Sequence, residues 1–102
     1  QGCVVANGLC LAVEALPGTD AMLAGVAALP ETLRPKGGLF YKAAKPGQDR
    51  RIDLPTIGPE TLALVAKAGL AGICFQAGSV ICLDLPAMQA DAQARGLFLW
   101  AR

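Results

Sequence analysis

An α/β domain, a single unit with a mixed β-sheet, hairpins and about three helices, is the fold this sequence predicts. Short β-prone runs such as Cys3-Val4-Val5 and Leu39-Phe40-Tyr41 alternate with Ala- and Leu-rich stretches of helical length. Helix boundaries are punctuated at Gly58-Pro59, at Asp84-Leu85-Pro86 and at Gly96. At 102 residues and 54% hydrophobic side chains, the chain can bury one core and is too short for two ordinary ones.

The opening stretch GCVVANGLCLAVEA (2–15) sets two apolar runs on either side of Asn7-Gly8, a dipeptide that takes positive φ readily, and so predicts a β-hairpin. Pro17-Gly18-Thr19-Asp20 follows, where Thr19 or Asp20 is expected to cap a short helix from Ala21 to Ala28 that Pro30 closes. Glu31 to Gly38, polar and carrying Pro35 and paired glycines, reads as a loop. Leu39 to Lys42 is a short strand leading into KAAKPGQDRRIDLPTIGPET (42–61), a strand-to-helix connection. Gly58-Pro59 opens a helix to about Ala68, with Glu60 near the positive end of its dipole. Gly69 and Gly72 end it, and Gly72–Gln76 with Val80–Leu83 around Ala77-Gly78-Ser79 is expected to form a second hairpin of buried strands. Asp84 is placed to cap a last helix with Pro86 in its first turn, Arg95 near its end and Gly96 as terminator. Leu97 to Trp100 then closes the sheet. The order of the strands does not follow from a single sequence.

Composition excludes several chemistries. A net charge of +1 and five aromatic residues give neither a broad phosphate-neutralising face nor a stacking platform, so nucleic acid is not an expected partner. No apolar run approaches the roughly 20 residues needed to cross a bilayer, and no charged leader precedes an apolar signal core, so a soluble domain is expected. Beginning at Gln1 without methionine, the chain is expected to be a piece of a longer polypeptide. Cys3, Cys10, Cys74 and Cys82 lie in apolar strand-like runs and are expected to be reduced and buried. With no histidine and no CxxC pair, structural zinc and imidazole-based triads are ruled out within this domain.

Chemistry is expected where charge is concentrated. Asp49 and Asp53, four apart, share a side whether the chain is helical or extended there. Two carboxylates about 4 Å apart repel by roughly 4 kcal/mol at an effective dielectric near 20, so they call for a cation between them. Oxygen donors suit Mg²⁺ or Mn²⁺. The bland alternative pairs Arg50 and Arg51 with these acids on a solvated loop. Against it, Lys42, Lys45, Arg50 and Arg51 outnumber these acids and leave charge for an anionic substrate, with the Thr56 hydroxyl and the helix onset at Gly58 as further donors. A second constellation, Glu14 with Gly18, Thr19 and Asp20, is explained by helix capping except for Glu14. A lone acid beside apolar strand residues must face solvent or serve a site, as ligand or base. Cys74, Phe75, Met88 and Trp100 are assigned to core or rim packing.

AVEALPGTDAML (12–23), KAAKPGQDRRIDLPTIGPET, AGLAGICFQAG (68–78) and ARGLFLW (94–100) occur in order over nearly the whole chain. Together they resemble the C-terminal catalytic domain of the LpxI family, UDP-2,3-diacylglucosamine hydrolases of the lipid A pathway. The resemblance implies a metal-dependent hydrolase that cleaves the pyrophosphate to UMP and 2,3-diacylglucosamine 1-phosphate, with an N-terminal nucleotide-binding domain elsewhere in the same polypeptide. It also implies a cytoplasmic location at the inner membrane face of a Gram-negative bacterium, the membrane being met through the lipid-linked sugar nucleotide. On this reading Asp49 and Asp53 hold the ion, and Asp53 or Asp49 acts as base with Glu14 and Asp20 next. Lys42, Lys45, Arg50, Thr56, Gly58 and Thr19 steady the diphosphate. Acyl chains, worth about 0.8 kcal/mol per buried methylene, would use the surplus apolar surface. The alternatives are a non-catalytic module that binds a sugar nucleotide through the same cations and a structural domain that forms a homodimer.

Overall fold

The computed structural model describes residues 1–45 and 54–102; Asp49, Arg50, Arg51 and Asp53 lie outside the described residues. The elements run β1 (Gly2–Ala6), β2 (Leu9–Val13), α1 (Thr19–Ala27), β3 (Leu39–Lys42), β4 (Thr56–Ile57), α2 (Pro59–Lys67), β5 (Gly72–Phe75), β6 (Ile81–Cys82), α3 (Leu85–Arg95) and β7 (Phe98–Ala101). The expected α/β domain with a mixed sheet and three helices is what forms.

Five strands are ordered β2-β1-β3-β5-β7. β1 is antiparallel to both of its neighbours, whereas β3, β5 and β7 run parallel. Asn7 and Gly8 both take positive φ and turn β1 into β2, as their side chains allow. Val4, Phe40 and Ile73 stand in one row across the sheet and are fully buried. They join Leu23 and Val26 of α1, Leu62 and Val65 of α2, and Met88 and Ala92 of α3 in a single core, so all three helices cover the same face. Each large side chain buried there contributes on the order of 1.5–3 kcal/mol. The opposite face carries Cys3, Tyr41, Cys74 and Trp100 in one row and Val5, Leu39 and Phe98 in the next, and it forms an open groove of about 580 Å³.

Three local expectations are corrected. β6 does not fold back on β5: it pairs in parallel with β4 in a separate two-stranded sheet. The reason is that β5 already has β3 on one side and β7 on the other, leaving no free edge, so Ile81 and Leu83 donate instead to the Pro55 and Ile57 carbonyls. α1 begins at Thr19, earlier than expected, and neither Thr19 nor Asp20 caps it. Its N-cap is Gly18, at φ 94°, with no side-chain cap. Finally, Cys74 is buried but Cys10 is exposed and Cys3 and Cys82 are half-buried, because β2 is an edge strand and β6 lies on the small sheet; all four are free thiols.

The other helix ends follow their side chains. The Gly58 N–H donates to Thr61 Oγ1 at the start of α2, and the Asp84 carboxylate accepts from the Ala87 N–H at the start of α3. α3 stops at Gly96, which adopts the left-handed conformation that glycine tolerates best. Phe75 and Met88 are core residues, and Trp100 is at the rim, half exposed.

Candidate functional site

β2 and β3 point the same way, each being antiparallel to β1 between them, so their carboxyl ends meet at one edge of the sheet. Glu14 follows the last residue of β2, and Lys42 is the last residue of β3. Between them lies Gly2, whose carbonyl accepts the Glu14 N–H at 2.8 Å and whose Cα stands opposite Lys42. A Cβ at Gly2 would sit 2.8 Å from the Phe40 ring and 3.4 Å from Glu14 Oε2. The missing side chain is therefore what lets an acid and a lysine reach one another across a strand.

Thr19, the first residue of α1, completes the contact. Lys42 Nζ donates to Thr19 Oγ1 at 2.6 Å and to Glu14 Oε1 at 3.4 Å, and the Thr19 hydroxyl donates to the same Glu14 oxygen. Lys42 is 4% exposed and the Glu14 side chain 9%. Burial alone would raise the Glu14 pKa, but the Thr19 hydroxyl and the Lys42 ammonium outweigh it and hold the carboxyl below its ordinary value. Glu14 is thus a carboxylate at neutral pH, one oxygen engaged by two donors. Its other oxygen, Oε2, and Gln1 Nε2 are buried with no hydrogen-bond partner among the described residues.

The triad borders a cleft of about 430 Å³ lined by Gln1, Glu14, Ala15, Leu16, Gly18 and Lys45. Its roof is the start of α1, where Gly18 offers no side-chain cap to the first helical N–H groups. The chain entering Lys45 is anchored from β5: the Gln76 N–H donates to the Lys42 carbonyl and the Gln76 side-chain oxygen accepts from Ala44. Lys45 and the helix start at Gly18, with no side-chain cap, line this cleft, an arrangement suited to phosphoryl oxygens.

Asp20, one residue on, faces a different cleft of about 400 Å³ with Thr56, Gly58, Pro59, Glu60 and Thr61. The start of α1 therefore stands between the two clefts, Gly18 lining one and Asp20 the other. Thr56 Oγ1 donates to the Leu54 carbonyl. Of the residues singled out from sequence, Glu14, Thr19 and Lys42 come into direct contact and Lys45 lines their cleft, while Asp20, Thr56 and Gly58 gather at the second. Asp49, Arg50 and Asp53 fall in the stretch between Lys45 and Leu54, outside the described residues. Gly2, Gln1 and Gln76 were not singled out; the signal for Gly2 was a glycine at the start of a β-prone run, where it marks close approach.

The described residues offer no ready-made cluster of metal ligands. They contain no group of three His, Cys, Asp or Glu side chains able to hold a metal, and the one buried carboxylate already faces an ammonium 3.4 Å away. No helix among the described residues is long and apolar enough to cross a membrane.

The LpxI C-terminal domain model matches residues 1–100. Over 103 aligned residues the chain is 52% identical to the UDP-2,3-diacylglucosamine pyrophosphatase LpxI of Caulobacter vibrioides, an alignment that takes in 97% of this chain. The chain spans 37% of that relative's length. A match along almost the whole chain makes this protein a member of the LpxI family, in the part that corresponds to its C-terminal domain.

Proposed function

We propose that this domain supplies phosphate-holding and hydrolytic groups for cleaving the pyrophosphate bond of UDP-2,3-diacylglucosamine, releasing UMP and 2,3-diacylglucosamine 1-phosphate. The observation that carries the reading is the buried contact of Lys42 with Thr19 and Glu14 beside a cleft at the start of α1. It is joined by the name of the Caulobacter vibrioides relative. Lys42 spends two of its three ammonium protons on Thr19 and Glu14, so its direction is set before any ligand arrives. In this role the ammonium and the first N–H groups of α1 receive negative charge growing on phosphoryl oxygens as water attacks phosphorus, a stabilisation that needs no rearrangement during reaction. Glu14 acts here as a positioning residue: it fixes the direction in which Lys42 points.

The base is Asp53 or Asp49, with Asp20 next, and Lys45, Arg50, Thr56 and Gly58 steady the remainder of the diphosphate. A Mg²⁺ or Mn²⁺ requirement rests on Asp49 and Asp53 alone, since the described residues do not form such a site. The rest of the polypeptide holds the nucleotide, and the protein works at the cytoplasmic face of the inner membrane, where its lipid substrate resides.

The test uses the full-length protein with UDP-2,3-diacylglucosamine, with and without Mg²⁺ or Mn²⁺ and after chelation. Asp49→Ala and Asp53→Ala are expected to lower turnover at least 100-fold, an effect of about 2.7 kcal/mol on the barrier, with melting unchanged. Chelation is expected to do the same to the parent protein. Substrate binding without metal-dependent product would establish the non-catalytic reading, and parental turnover in both variants would remove the assigned acids.

A further inference from the structure

We propose that Cys3 and Cys10 are a redox-sensitive thiol pair that closes to a disulfide across the β1–β2 hairpin when the protein meets a low-molecular-weight disulfide such as oxidised glutathione. Cys10 stands opposite Val5, and Cys3 is two residues from Val5 along β1, so both thiols belong to the sheet face that no helix covers. Diagonal neighbours stand about 7–8 Å apart, a gap that two short cysteine side chains close only if the backbone moves. The register slips between Val4 and Val5, so the ladder is already irregular between the two cysteines and the strands can adjust as the bond forms. Cys10 is exposed on the edge strand, its Sγ 3.6 Å from the Ala12 carbonyl oxygen; Cys3 is half-buried and also free. The thiols lie near enough to influence one another: burial, and then Cys10 beside it, push the Cys3 pKa up. Cys74 is buried, and Cys82 belongs to the separate small sheet, so neither competes.

Exposure sets the order of events. The exposed Cys10, as thiolate, attacks one sulfur of oxidised glutathione and displaces a glutathione thiolate, leaving a mixed disulfide on Cys10. Cys3 then loses its proton to water and attacks the Cys10 sulfur, expelling the second glutathione. Two protein thiols are oxidised to one disulfide while oxidised glutathione is reduced to two glutathione thiols. The result is a covalent staple on the edge hairpin, one residue from the Gly2 carbonyl that holds the Glu14 N–H. Its formation does not depend on the catalytic reading.

The protein is incubated with oxidised glutathione, quenched in acid, denatured, alkylated and mapped by mass spectrometry. Alkylation of Cys3 and Cys10 is expected to fall together by about tenfold, with loss of two hydrogen atoms from the peptide that contains both, and to return on reduction. Cys74 and Cys82 stay alkylated, and in Cys10→Ser the Cys3 thiol stays free. A lasting glutathione adduct on Cys10 with Cys3 still alkylated, or cross-links between chains in place of the internal bond, would overturn the pairing.

Discussion

Removing both charges of the Glu14–Lys42 pair should destabilise the domain by clearly less than the two single removals add up to. The two groups are 3.4 Å apart with side chains 9% and 6% exposed, and at an effective dielectric near 20 their attraction is about 5 kcal/mol. Desolvation opposes most of that gain, but deleting one partner leaves the other's desolvation uncompensated, which costs about 3 kcal/mol. Glu14→Gln strands the Lys42 ammonium with Thr19 as its remaining partner in the triad, and Lys42→Met strands the Glu14 carboxylate. For a domain of this size, about 3 kcal/mol lowers the melting temperature by about 15 °C. The double variant carries no stranded charge and should recover about 2 kcal/mol of the summed loss. Urea unfolding followed by far-ultraviolet circular dichroism measures all four corners of the cycle. If the two single effects add to within about 0.5 kcal/mol, the side chains are solvated independently and the triad is no preformed cradle.

Two more outcomes follow from the same coordinates. Because the Glu14 carboxyl is held below its ordinary value of 4.5 in the folded chain, the unfolded chain binds more protons there. The stabilisation is complete above that value and is lost as pH falls through the lower folded pKa, so the urea midpoint should drop more steeply below pH 4.5 in the parent than in Glu14→Gln; parallel curves would refute it. At Gly72, a Cβ would stand 2.5 Å from the Phe98 ring and nearer still to its carbonyl oxygen. Gly72→Ala should cost about 2–3 kcal/mol by prising β7 from β5, read as a lower melting temperature, and an unchanged melt would contradict the β5–β7 register.

What was legible in the sequence was mostly local. Asn7-Gly8, Pro59, Asp84 and Gly96 each carry a conformational preference strong enough to place a turn or helix end, and each stands where it was expected. Pairing between distant strands is a different matter. Val80 to Leu83 has the apolar character of a hairpin arm, yet its partner is decided by β7 occupying the edge of β5, which no short window reveals. β4 is two residues long and has no periodicity to detect. At the site, Glu14 stood out as an acid among apolar neighbours, and Lys42 as a cation at a strand end. Their contact depends on Gly2, from the far end of the same hairpin, and on the direction of two strands, both consequences of register. Thr19 was legible as a capping residue and serves instead as the hinge of the triad, because Gly18 takes the cap position and frees its hydroxyl.

The chain's single tryptophan and single tyrosine both stand on the sheet face opposite the helices. Trp100 is half exposed, with the Arg102 guanidinium 5.2 Å from its ring centre, and its emission is expected to be that of a hydrated indole next to a cation. The domain thereby contains its own optical probe. A blue shift in emission registers coverage of that side by another molecule, whereas a ligand entering beside Lys42 leaves the indole in water, so one unlabelled titration separates the two events.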